Sequence, residues 1–265
     1  MYRPFNYKNK LMKKILAIIC LSIVITSCSE DKDIILNPVA ITLNFSHSWN
    51  GTEITNDDFN QLKFTNENGQ VLSIERLRYL ISEVSLTHES GEETVLDDYN
   101  LVDLTNNEGM SFRTSEGVLP GEYSAVTFRF GFKRADNTDG AYPDLNTANF
   151  NVPAPLGGGY HFMQFDGKYT NTTSGESPFN YHVISAIDPT NVNDAVDTSY
   201  TLNIGSVTIG SNTNINIQMD VSEWFKNPNT WDLNEYDVNL MGDYDVQLIM
   251  NQNGSSVFDL VSITQ

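Results

Sequence analysis

Ile41-Thr42-Leu43-Asn44-Phe45-Ser46 decides the fold class of this 265-residue chain. Apolar and polar side chains alternate along it, and a period of two turns one set toward a core and the other toward water, as in a half-buried β-strand. Working outward, short runs rich in Val, Ile, Thr, Phe and Tyr recur between Gly, Asn and Asp: residues 39–49, 61–65, 84–88, 124–132, 160–169, 200–209, 214–220 and 244–250. Asn68-Gly69 and Ser90-Gly91 are hairpin-type dipeptides, because glycine accepts the positive φ of a tight reversal.

Helix signals are few. Residues 75–82 read as a turn or a strand, and residues 221–225 as one helical turn. Regular strand spacing with Gly- and Asn-rich turns predicts an all-β chain, a single antiparallel β-sandwich over residues 38–265, with no internal repeat and no linker that splits it. The longest irregular stretch, residues 133–159, carries Asp136, Asp139, Asp144, three prolines and Gly157-Gly158-Gly159. Loops of that length in a compact domain usually serve function.

Ahead of the sandwich, Lys13 and Lys14 precede an 11-residue apolar run, residues 15–25, too short to span a bilayer. Ile25-Thr26-Ser27-Cys28 closes the run as a bacterial lipoprotein processing site, with Met12 an alternative start. The expectation is a signal over residues 1–27, cleavage before Cys28, lipidation of Cys28, and a tether over residues 28–37 that anchors the protein to a membrane without crossing it. Removing residues 1–27 takes five of the 15 basic residues and no acid, so ten face 34 acids, a net charge of about −24. Such a body repels phosphate backbones, which disfavours nucleic acid and favours cations. Cys20 and Cys28 are the two cysteines, so the mature domain has none for disulfides or thiolate ligation.

Signatures of catalysis are missing: there is no Gly-x-Ser-x-Gly elbow, no His-Glu-x-x-His pair and no phosphate-cradling glycine loop. No activity as an enzyme is expected. The four histidines are His47, His88, His161 and His182. His88 sits at a hairpin tip, whereas the other three lie in aromatic strand-like runs and offer neutral imidazole to copper or zinc, with Met163 adding weight to copper. The competing reading makes each a hydrogen-bonded, half-buried histidine. Asp136-Asn137-Thr138-Asp139-Gly140 invites calcium but lacks the alternation and distal glutamate of an EF-hand loop, so a solvated turn accounts for it. Trp224 and Trp231 read as packing residues, or, with Tyr236, as exposed aromatics of an adhesion surface.

Four strings occur in order: Leu77-Arg78-Tyr79-Leu80-Ile81-Ser82-Glu83-Val84-Ser85-Leu86; Pro120-Gly121-Glu122-Tyr123 through Phe130-Gly131-Phe132; Gly159-Tyr160-His161-Phe162-Met163-Gln164-Phe165-Asp166-Gly167; and Tyr181-His182. Together they resemble the MbnP-like domain, the copper-binding β-sandwich of methanobactin-associated proteins that also occurs in lipoproteins of Bacteroidetes-type bacteria. The acidic residues after Cys28 resemble the surface-export tag of those lipoproteins. The resemblance spans about residues 39–263. It implies copper bound by histidines with kynurenine, an oxidised tryptophan made by a partner dihaem enzyme. Carried onto this chain, it gives His47, His161 and His182 as ligand positions and Trp49 as the tryptophan. Where family members carry Met-x-Trp before the Gly-Tyr strand, this chain has Asn149-Phe150-Asn151-Val152-Pro153.

The function so expected is a non-catalytic, copper-binding outer-membrane lipoprotein, exposed at the cell surface, for copper acquisition or handling. The alternative is a surface adhesion module for glycans or peptides. Protons should compete with copper at the histidines around the ordinary pKa of about 6.5.

Overall fold

β1 (Ile41–Trp49) runs through a five-stranded sheet because its odd-numbered residues, Ile41 to Trp49, are all buried while the even positions Thr42, Asn44 and Ser46 face outward. It pairs in parallel with β15 (Thr213–Asp220), which pairs antiparallel with the edge strand β16 (Phe258–Thr264). The other side of β1 takes the short strands β2 (Thr52–Glu53) and β7 (Ser111–Arg113). The computed structural model describes residues 36–188, 190 and 195–265. The expected signal, Cys28 and nearly all of the expected tether lie outside them, and Asn37–Gln265 form one compact unit.

The second sheet is built around β5 (Arg76–His88), whose 13 residues pair with β6 (Glu93–Asp103) on one side. On the other side lie β8 (Gly121–Phe130) and the start of β9 (Met163–Thr170). β9 continues to β10 (Glu176–Val183) and to β4 (Val71–Leu72), which holds β3 (Phe64–Thr65). β13 (Tyr200–Asn203) and β14 (Val207–Ile209) complete the sheet on β8. A separate two-stranded ribbon joins β11 (Ala186–Ile187) to β12 (Ala195–Val196). The sheets pack through one aromatic-rich core that contains Phe45, Tyr79, Phe128, Phe165, Tyr181 and Trp224.

The all-β sandwich holds, with one parallel pair, β1 with β15, inside an otherwise antiparallel arrangement. Residues 244–250, expected as a strand, form helix α2 (Tyr244–Gly254), with α1 being Pro143–Thr147. Val246, Met250 and Gly254 recur at helical spacing on its buried face, and the Asp243 carboxylate caps it by accepting from Val246 N. Gln247 is buried there, its amide oxygen accepting from Ile184 N at 2.9 Å and its Nε2 donating to His182 O at 2.9 Å, a tertiary contact invisible to periodicity. β6, β10 and β16 were missed because acids, Asn or Pro interrupt their apolar pattern. The 75–82 segment resolves as strand, and residues 221–225 form the expected helical turn as a 3₁₀ helix.

Gly167 in β9 has no room for a side chain: a Cβ there would lie 2.0 Å from Ser73 O and 2.7 Å from the Phe179 ring. Gly167→Ala should therefore destabilise the domain by about 3 kcal/mol in urea unfolding. Gly175→Ala, whose added Cβ meets nothing nearer than 3.6 Å, should change stability by less than about 0.5 kcal/mol. Equal effects would contradict this packing.

Candidate metal centre under the aromatic lid

Alternation along β9 places Met163 and Phe165 in the core between the sheets and Gln164 and Asp166 on the opposite, outer face. His182 of β10 is in register with Gln164, so it shares that outer face. His161, in the segment leading into β9, packs with its ring centroid 5.1 Å from that of His182, the planes at 86°. Residues 133–162 close over this face as a lid. Its second, smaller apolar cluster joins Leu80, Phe132, Leu145, Phe150 and Tyr160. Gly131 opens the lid with φ +81°, where an added Cβ would strike the Phe162 ring at 2.4 Å.

Each ring is held by one nitrogen. The Phe150 carbonyl accepts from His161 Nδ1 at 2.9 Å, which fixes the proton on Nδ1 and leaves Nε2 as a lone pair. Asp166 Oδ1 accepts from His182 Nε2 at 2.8 Å, so in the neutral ring Nδ1 carries the lone pair. Both remaining nitrogens, His161 Nε2 and His182 Nδ1, are buried without a partner among the described residues. A carbonyl or carboxylate on one imidazole nitrogen, with the other left open, is the arrangement that orients metal-ligating histidines. Imidazole nitrogen is a ligand type that suits a borderline-soft ion such as copper.

Burial drives the electrostatics. Desolvation lowers His161 to about 3, against a smaller upward pull from the Phe150 carbonyl and with further lowering by His182, Arg76 and Arg78. Burial pushes the Asp166 carboxyl up, but hydrogen bonds from His182, Asn180 and Arg76 outweigh it and hold it at about 2. Arg78 donates to Gln164 Oε1 at 2.7 Å, and its guanidinium sits 5.4 Å from the centroid of the Phe150 ring. The Phe150 ring lies 5.7 Å from that of His161.

The structure brings together His161 and His182 and separates them from the other sequence-derived positions. His47, Met163 and Trp49 all project into the core on the other side of the larger sheet. His47 is 1% exposed, with its ring 5.7 Å from Tyr79 and both nitrogens unpartnered among the described residues. Desolvation lowers its pKa to about 3. The Trp49 indole donates to Thr65 O at 3.0 Å between Phe64 and Phe225. Sequence reasoning missed Asp166 and Phe150, which reach the pair through strand pairing and lid closure. Among the described residues, no group of three or more His, Cys, Asp or Glu is arranged to hold a metal.

Other expectations change. Trp224 and Trp231 are 0% and 1% exposed, and Tyr236 packs on Trp231, so they form no exposed stacking surface for a glycan. The acidic loop is spent on structure: Asp136 pairs with Lys133 at 3.1 Å, Asn137 Oδ1 accepts from Tyr160 N, and Asp144 accepts from Tyr99 OH. Protonation near pH 6.5 does not apply to His47 or His161, whose burial keeps them neutral far below it.

That burial sets a pH dependence. An unfolded histidine takes its proton near 6.5 and these two near 3, so between those limits the unfolded chain binds more protons. The stability they contribute is complete above 6.5 and falls with pH, at up to about 1.4 kcal/mol per unit each. Urea midpoints of metal-free protein should fall between pH 6.5 and 5, with a shallower decline in His47→Leu. A His47→Leu variant with the wild-type slope would refute the assignment.

No curated protein matches the sequence. Among solved structures, MbnP from Methylosinus trichosporium is similar, with a TM-score of 0.48 and 14% identity over 73% of this chain and 79% of that one. The MbnP family model matches residues 38–242, well over half of the sequence, and the chain belongs to the MbnP family.

Proposed function

We propose that this protein is an extracytoplasmic, membrane-anchored lipoprotein that binds one copper ion between His161 Nε2 and His182 Nδ1 and carries or stores it without turnover. The MbnP family is linked to methanobactin and copper. The observation that carries the reading is the pair of buried imidazole nitrogens, unpartnered among the described residues, on rings 5.1 Å apart, each ring held through its other nitrogen. Cys28 supplies the lipid anchor at the outer membrane, with the acidic tether favouring surface exposure.

Two imidazoles are fewer than the three or four protein ligands zinc takes, and Arg76 and Arg78 disfavour added positive charge beside His161. Both features favour a soft ion of low charge and low coordination number, cuprous copper. Phenylalanine cannot be oxidised to kynurenine as tryptophan is, and Phe150 is the aromatic ring against His161. Copper binding in this member therefore proceeds without kynurenine, and a dihaem partner is not required for loading.

Anaerobic titration of the purified protein with cuprous ion against a chromophoric chelator should show one tight site per chain. His161→Ala and His182→Ala should each weaken it at least about tenfold, and Asp166→Asn should weaken it by about 10- to 100-fold through loss of ring orientation. Trp49→Phe should leave it unchanged. Wild-type affinity in both histidine variants would end the reading.

A further inference from the structure

Beyond the aromatic cluster, the same outer face of the larger sheet opens into a cleft of about 660 Å³, a volume typical of small-molecule sites. Its floor is made of small hydroxyl side chains, Ser82, Ser85 and Thr127, at the point where a bulge interrupts β5. Glu83 occupies the bulge at φ +49°, and its carboxylate accepts from Arg129 Nε at 2.6 Å and from Lys133. Lys133 also pairs with Asp136. Both basic groups of the cleft are thus already matched by carboxylates.

The remaining acids are not matched. Glu93 accepts from the Ser85 hydroxyl at 2.6 Å, and Asp97 from the backbone amides of Ser115 at 2.7 Å and Asp98 at 2.9 Å. Asp98 is exposed beside them, and among the described residues none of the three has a cationic partner. One wall is aromatic: Phe132 stacks on Tyr142 at 4.5 Å, and Tyr99 meets them edge-on at 5.4 Å and 4.9 Å. Aromatic faces attract cations through the ring quadrupole, and unmatched carboxylates within the same cleft set the sign of its ligand. A neutral or anionic ligand would leave those carboxylates uncompensated.

We propose that this cleft binds an organic cation, a guanidinium or alkylammonium on an apolar body. The charge lies against Glu93, Asp97 and Asp98, and the body lies on Tyr99 and Tyr142. A free polyamine and an arginine or lysine side chain of a peptide share this chemistry. The site is independent of the histidine pair.

Calorimetric titration of the full-length protein with L-argininamide should show saturable binding of one molecule per chain. L-citrullinamide, in which a neutral ureido group replaces the guanidinium, should bind at least about tenfold more weakly. Spermidine and an arginine-containing tripeptide, run in parallel, distinguish the two sources by which binds more tightly. Glu93→Gln with Asp98→Asn should cost about tenfold. Both residues are exposed, and unchanged thermal midpoints would verify folding. Asp57→Asn with Glu67→Gln removes the same charge elsewhere on the surface and should cost nothing. The proposal is overturned by equal binding of L-citrullinamide, by equal losses in the two double variants, or by failure to saturate at millimolar concentration.

Discussion

Adjacent residues of a β-strand face opposite sides of their sheet, and in the larger sheet of this domain that constraint separates two chemistries. The inner side of β5, β9 and β10 is given to the aromatic core, with Tyr79, Met163, Phe165 and Tyr181. The outer side carries Arg76, Arg78, Gln164, Asp166 and His182, polar groups that the chain then encloses instead of leaving to water. Enclosure is the work of residues 133–162, which bring Phe150 and His161 onto that face. The bulge at Glu83 shifts the alternation by one residue, so that Ile81 and Val84 face the core while Ser82 and Ser85 line the outer cleft.

Enclosed polar groups are tolerable only when their partners outweigh lost hydration. Asp166 meets that condition through three donors, His182, Asn180 and Arg76, and this is why burial does not raise its pKa. His161 and His47 meet it differently, by remaining neutral. Neutral imidazole is also the form a metal ion requires, so the desolvation that makes the fold acid-sensitive favours the same protonation state that ligation would need. Arg78, held by Gln164 over the Phe150 ring, ties the floor of the site to its lid.

The fold was largely legible because its signal is local. Alternation in residues 41–46 and regular strand spacing define a sandwich irrespective of which strand pairs with which. What escaped depended on partners distant in sequence. Residues 244–250 carry an apolar run compatible with strand or helix, and the Asp243 cap and the buried Gln247 contacts select helix. The parallel pairing of β1 with β15 joins segments 172 residues apart, as Ile41 with Thr213.

For the candidate site, the sequence by itself determined which side chains are on offer: four histidines, no cysteine after residue 28, and a large excess of acid. It also placed His161 and His182 within residues 38–242, the span matched by the MbnP family. Only the tertiary structure decided that these two meet and that His47, Met163 and Trp49 do not join them. Residue identity is local, whereas the side of the sheet a residue faces depends on register and bulges. What covers that side depends on how a long lid packs, and neither is written in the spacing of the residues themselves.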